Sequence, residues 1–144
     1  MPTVATAPVI RFTVPLPPVF VRSNSRSHWA RRVKAKQEYS ECVFDHWLDV
    51  CREYRNAYML EDVPFDAARV TFTWRACHLP DQANVLGNCK ALLDILCMAP
   101  KTTQTNNTTY LGLLEDDRNV EAIGKVEKVS KRVDECVVVE IVKL

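Results

Sequence analysis

The sequence predicts one domain of the α/β (α+β) class, a mixed β-sheet of about four to five strands packed with one long and one shorter α-helix. Three observations predict it. Val9 to Val14 and Ala68 to Cys77 alternate between apolar and polar residues, the period of a strand with one buried face. Trp29, Val33, Val43, Trp47, Val50, Tyr54 and Tyr58 recur at helical steps or multiples of them. Cys136 to Val142 is almost continuously apolar, as expected of a strand inside a sheet.

Each element follows in order. Pro15-Leu16-Pro17-Pro18 stops the first strand, because proline lacks the donor a ladder needs, and residues 8–27 become a strand followed by a polar loop. The long helix from Trp29 to Tyr58 uses Trp47 and Tyr54 as core anchors, with His46 in a structural role. Residues 60–67 form a turn-rich connection to the strand starting at Ala68. After the polar knot PDQAN (80–84), Val85, Leu86, Cys89, Leu92, Leu93 and Leu96 make an apolar helical stripe ending near Met98. Asn84, Gly87, Lys90 and Asp94 share another face of that helix. Lys90 and Asp94 are spaced as an i,i+4 surface ion pair, worth about a few tenths of a kcal/mol. Residues 98–109 form a mobile polar loop, Val120 to Val129 reads as a strand, and Lys131 to Asp134 turns the chain into the last strand.

Composition narrows the class. A chain of 144 residues suits one domain, 1–144, and buries enough surface to fold without a metal or disulfide staple. It carries no apolar run long enough to span a bilayer and no secretory signal, so a cytosolic location is expected. Its six cysteines show no CxxC spacing and read as reduced thiols, and a zinc site from Cys77, His78 and Cys89 lacks ligand-pair spacing. The net charge of +1 hides a basic stretch, Arg22, Arg26, Arg31, Arg32, Lys34 and Lys36, followed by an acid-rich one from Glu38 to Asp66. Lys125, Lys128, Lys131 and Arg132 form a second basic group. The first stretch, with Asn24, His28 and Trp29 among it, suits phosphate contacts or a solvated helix face, and charge alone does not decide between them.

Two acidic points carry the candidate chemistry. Asp81 follows a strand, and Glu115-Asp116-Asp117 ends an apolar segment. Strand ends can hold carboxylates close together, and clustered carboxylates favour a hard cation such as Mg²⁺ or Mn²⁺. Such an ion activates a phosphodiester toward hydrolysis, and a nearby lysine stabilises the charge that develops. There is no GxSxG elbow, no cysteine-centred motif and no glycine-rich phosphate loop. A glycosidase-like carboxylate pair remains open on spacing alone, without support from the basic stretch. A domain with no nucleic-acid role also remains open at this stage.

Read in order, these segments resemble the RusA-like Holliday junction resolvases of bacteria and their phages. That family's centre runs D-x-D-N-L, a lysine three or six residues past the asparagine, x-x-x-D-x-L, and later G-hydrophobic-hydrophobic-x-D-D. Here it stands as DQANV, KALLDIL (90–96) and GLLEDD (112–117). PLPP followed by SNSRSHW (23–29) is similar to the family's opening, and the likeness covers most of residues 9–143, with 98–109 as an insertion. The resemblance implies a homodimer that binds four-way DNA junctions and makes paired symmetric nicks with Mg²⁺ or Mn²⁺. It implies no membrane and no nucleotide cofactor, and a place in the cytoplasm of a bacterium, or of the host cell if phage-encoded. Carried over, Asp81, Asp117 and Asp116 match metal-site aspartates, Lys90 the catalytic-site lysine, and Asn84 the asparagine that sets the register. Arg22, Asn24, Arg26, His28, Arg31, Arg32, Lys34, Lys36, Asn84, Lys125 and Lys128 are the candidate DNA contacts.

One position departs from that pattern. Ala83 stands where the family has its second aspartate, and a methyl group ligates nothing. Three readings are open: a substitution introduced to disable cleavage, a natural variant in which Glu115 or Asp116 supplies the oxygen, or a natural junction binder that does not cut.

Overall fold

A computed structural model describes residues 9–22, 28–53, 63–100 and 108–144. The described elements are β1 (Val9–Val14), a 3-10 turn (Val19–Val21), α1 (Trp29–Glu53), β2 (Ala68–Ala76), α2 (Gln82–Asn88), α3 (Lys90–Leu96), β3 (Val120–Lys128), a second 3-10 turn (Arg132–Asp134) and β4 (Cys136–Lys143). The sheet order is β1-β4-β2-β3. The expected α+β architecture is present, with four strands among the described residues. Tyr54, Tyr58, Asn24, Arg26 and most of the 98–109 loop lie outside those residues.

β4 is the interior strand its apolar run predicts. It pairs antiparallel with β1 and with β2, in a register that aligns Phe12, Val139 and Phe72 across the sheet. These three, with Ile10, Val14, Val70, Trp74, Val137 and Ile141, are buried on the face that carries the helices. Each fully buried side chain of this size contributes about 1.5–3 kcal/mol by leaving water. The opposite face is more polar. There Arg69 meets Glu121 at 3.1 Å and Arg75 meets Glu127 at 3.2 Å, at facing positions of the β2–β3 register. Such partly exposed pairs are worth about 0.2–1 kcal/mol each.

β3 runs parallel to β2, so the chain must cross from one end of the sheet to the other between them. α2 and α3 make most of that return. The expected single helix over this stretch is two short ones, with a break at Cys89, whose φ of −99° and ψ of 6° leave the helical region. The ladder bends there without dissolving: Cys89 N–H donates to the Val85 carbonyl and Leu93 N–H to the Cys89 carbonyl, both at 2.9 Å. The bend keeps Val85, Cys89, Leu92, Ile95 and Leu96 in the core while leaving Leu86 exposed. α2 also lies close on the sheet at Gly124, where an added Cβ would stand 3.0 Å from Val85 Cβ.

α1 crosses β1 and the first 3-10 turn. Trp47 packs its ring 5.3 Å from that of Phe12, and the Tyr39 hydroxyl donates to the Pro15 carbonyl at 2.6 Å. Trp47 is thus the anchor its spacing predicts. Trp29 is not: at the first turn of α1 it is 70% exposed. His46 is also exposed on α1.

Candidate functional site

The segment Leu111–Glu115 is locked in place by its backbone. Leu111 N–H donates to the Ile95 carbonyl and Leu113 N–H to that of Leu96, while Phe65 N–H donates to the Leu113 carbonyl and Glu115 N–H to that of Phe65. Gly112 adopts φ +69°, a conformation costly for any residue with a Cβ, and lets the chain turn between these attachments. Leu113 and Leu114 are buried as a result, and the three acids that follow emerge at the rim. Apolar residues fix this stretch and carboxylates end it.

A cleft of about 910 Å³ opens there, lined by Asp94, Glu115, Asp116 and Asp117 together with Lys36, Arg118 and Tyr110. Asp116 accepts hydrogen bonds from Arg118 N–H at 2.8 Å and from Arg118 Nε at 3.2 Å, so its charge is partly offset and the turn into β3 is tied. Asp94 pairs with Lys36 Nζ at 3.4 Å. The expected Lys90–Asp94 pair is therefore replaced: Lys36, from a helix far away in sequence, reaches the same carboxylate. Cys97 lies beneath the acids. Burial first, then the charges of Asp94, Asp117 and Asp116, push its thiol up to about 12. Its Sγ donates to the Leu93 carbonyl at 3.3 Å, in keeping with a thiol that holds its proton.

On the other side of the Lys36–Asp94 pair lies a second cleft of about 480 Å³. Arg32, Lys90, Phe20 and Trp29 line it, together with Gly87 and Ala91. Lys90 thus stands beside Lys36 and Asp94, one wall away from the acids at 115–117. Arg31 places its guanidinium 5.4 Å over the Phe20 ring, and the rings of His28 and Trp29 lie 5.8 Å apart. The sequence points to the basic residues here and places Trp29 both in the helical stripe and in the stretch suited to phosphate contacts, but gives no signal for Phe20.

Asp81 does not join either cleft. It precedes α2, beyond the end of β2, whereas Asp116 and Asp117 precede β3 at the start of β2, where Ala68 N–H donates to the Asn119 carbonyl. Because β2 and β3 are parallel, these two acidic points come from opposite ends of the strand pair. Asp81, Gln82, Ala83 and Asn84 are exposed, and Gln82 Nε2 donates to the Gly124 carbonyl at 3.1 Å. Among the described residues, no group of three or more His, Cys, Asp or Glu side chains is placed to hold a metal ion.

Other candidate contacts disperse. Arg22 turns inward: Nε donates to the Pro17 carbonyl at 2.8 Å and the guanidinium lies 4.9 Å from the Trp74 ring centre. Burial lowers its pKa, with the nearby Cys89 and Tyr39 acting in the opposite sense. Arg22 is accordingly a structural cation rather than an exposed phosphate contact. Lys125 lies on the polar face of the sheet, away from the helices, and Lys128 ends β3 at the edge remote from Asp117. All six cysteines are free, and no described helix is long and apolar enough to cross a membrane. Compared with known protein families and with curated proteins, the chain matches none.

Proposed function

We propose that the protein is a metal-dependent, structure-selective DNA endonuclease of the RusA-like kind, acting on four-way junctions as a homodimer. The observation that carries this reading is the shared wall: an acidic cleft and a basic, aromatic cleft meet at the Lys36–Asp94 pair. A phosphate chain held by cations on one side would reach carboxylates on the other, the juxtaposition that phosphodiester hydrolysis requires.

The acidic cleft offers hard oxygen donors. Mg²⁺ keeps several waters and takes one or two carboxylates plus substrate phosphate, so a preformed cage of three side chains is not needed. Asp116 and Asp117 would hold it, with Glu115 and Asp94 on the same wall. When bound, the ion withdraws charge from a phosphodiester and favours attack by water. Lys90 and Arg32 would fix the backbone by contacts that are blind to sequence and weaken with salt. Two such sites related by a twofold axis would cut two like strands of one junction.

A second reading, a junction binder of the same fold that does not cut, draws on specific observations. Ala83 supplies no ligand, and Asp81 lies apart from Asp117. The two are separated by incubating a labelled four-way junction with Mg²⁺ and this chain, its Ala83→Asp form or its Asp117→Asn form. Paired nicks from Ala83→Asp or the present chain, lost in Asp117→Asn, support the endonuclease. Tight binding with no nicks from any form overturns it in favour of the binder.

A further inference from the structure

We infer that Trp29 and Phe20 form a stacking platform for an unpaired nucleobase, flanked by Arg32 and Lys90 for the adjoining phosphates. The inference rests on the DNA-binding part of the reading above and adds which part of the DNA is gripped.

The three tryptophans differ sharply in their surroundings. Trp47 and Trp74 are 7% and 2% exposed and serve the core, whereas Trp29 is 70% exposed. Leaving so large an apolar ring in water is costly unless a partner covers it. Phe20, also exposed, shares the cleft with Trp29, and Arg31 covers Phe20 at cation–π distance. The His28 ring lies 5.8 Å from that of Trp29 and adds to the aromatic surface there. The cleft volume lies within the range of sites that enclose a small planar group.

Charge selects the occupant. Arg32, Lys36 and Lys90 line the cleft against a single carboxylate, Asp94, which Lys36 already neutralises. Neither Arg32 nor Lys90 forms an ion pair with a described residue. An apolar segment of another protein would cover Trp29 but leave these cations unmatched. Duplex DNA would match the cations but keep its bases stacked on one another, leaving Trp29 in water. A strand with unpaired bases satisfies both, since every base offers a π face and every linkage a phosphate. A four-way junction would supply such bases only where the pairs flanking its branch point open.

The experiment reads Trp29 directly, because it is the one tryptophan open to solvent. The full chain is titrated at low salt with an end-labelled oligothymidylate and with a blunt duplex of equal length. Probe anisotropy reports binding and protein emission reports stacking. The expected result is quenching by the oligothymidylate and not by the duplex. Trp29→Leu should abolish the quenching and weaken oligothymidylate binding by about 5- to 100-fold, with duplex binding little changed. Trp29→Phe should retain most of the affinity, which separates stacking from loss of fold. Oligothymidylate binding without quenching, or equal binding by Trp29→Leu, overturns the platform while leaving DNA binding intact. Failure of both probes to bind overturns the platform, and failure of a labelled four-way junction to bind under the same conditions overturns the DNA reading with it. A Trp29→Leu effect confined to self-association, read by light scattering, reassigns the patch to protein contact and overturns the platform as well.

Discussion

On one side of the Lys36–Asp94 pair the cleft wall is Glu115, Asp116 and Asp117, held by a backbone segment bonded to α3 and to Phe65. On the other side it is Arg32, Lys90, Trp29 and Phe20, carried by α1, the start of α3 and a 3-10 turn. The first is rigidly placed and repels phosphate until a cation is present; the second attracts phosphate without help. On the proposed reading the difference is a division of labour: binding and chemistry would occupy adjacent surfaces, so changes in one can be measured without destroying the other.

The sharpest break between the two regions comes from Asp117→Asn. Cleavage of a junction by a competent form should fall by about 10²–10³-fold, as when one preorganised charge is removed from a transition-state site. Junction affinity measured by anisotropy should hold or rise, because one negative charge has left the rim. Loss of affinity instead would mean that the acidic wall contributes to binding. Combined Arg32→Gln and Lys90→Gln should do the reverse. Binding should weaken uniformly across DNA sequences, and the slope of log affinity against log salt should fall by about 1–2.

Cys97 sharpens the comparison through pH. Its folded thiol lies up at about 12 against an ordinary 9.0, so the folded state holds the proton that the unfolded chain releases first. The stability this represents is complete below pH 9 and is lost as pH rises toward about 12. Thermal denaturation across that window should show the decline, and Cys97→Ala should reduce it without abolishing it, because burial also pushes the Cys89 thiol up to about 12. Native alkylation at mildly basic pH should spare Cys97. The smallest effect is expected at the shared wall. Lys36→Gln removes a partly exposed ion pair, worth about 0.2–1 kcal/mol, and should lower the denaturation midpoint only slightly. A large loss would show that the pair, and not the backbone, sets the two clefts apart.

How far the sequence carries these conclusions depends on whether a feature is local. β1, β2 and β4 follow from alternation and apolar continuity, and Trp47 from its place in the helical stripe. The break at Cys89 left no mark on the stripe, since both short helices bury the same side. Lys90 and Asp94 satisfy a local spacing rule, yet Asp94 is taken by Lys36, whose approach depends on α1 crossing the domain. Arg22 turns inward against its place in the basic stretch, drawn by the Pro17 carbonyl and the Trp74 ring, and Trp29 faces outward against its place in the helical stripe, contacts that no local spacing encodes. The separation of Asp81 from Asp117 follows from the parallel direction of β3, which no residue pattern announced. The motif order along the chain was legible; the distances between its parts were not.

β3 is an edge strand, and an open edge invites another strand to extend the sheet. Here Gln82 from α2 already bonds the carbonyl at its midpoint, Gly124, while Glu121, Lys125, Glu127 and Lys128 line its exposed flank. The polar knot that begins α2 therefore occupies that carbonyl, which is then closed to a second strand. A chain altered at Gln82 would be expected to lose solubility before it loses its fold.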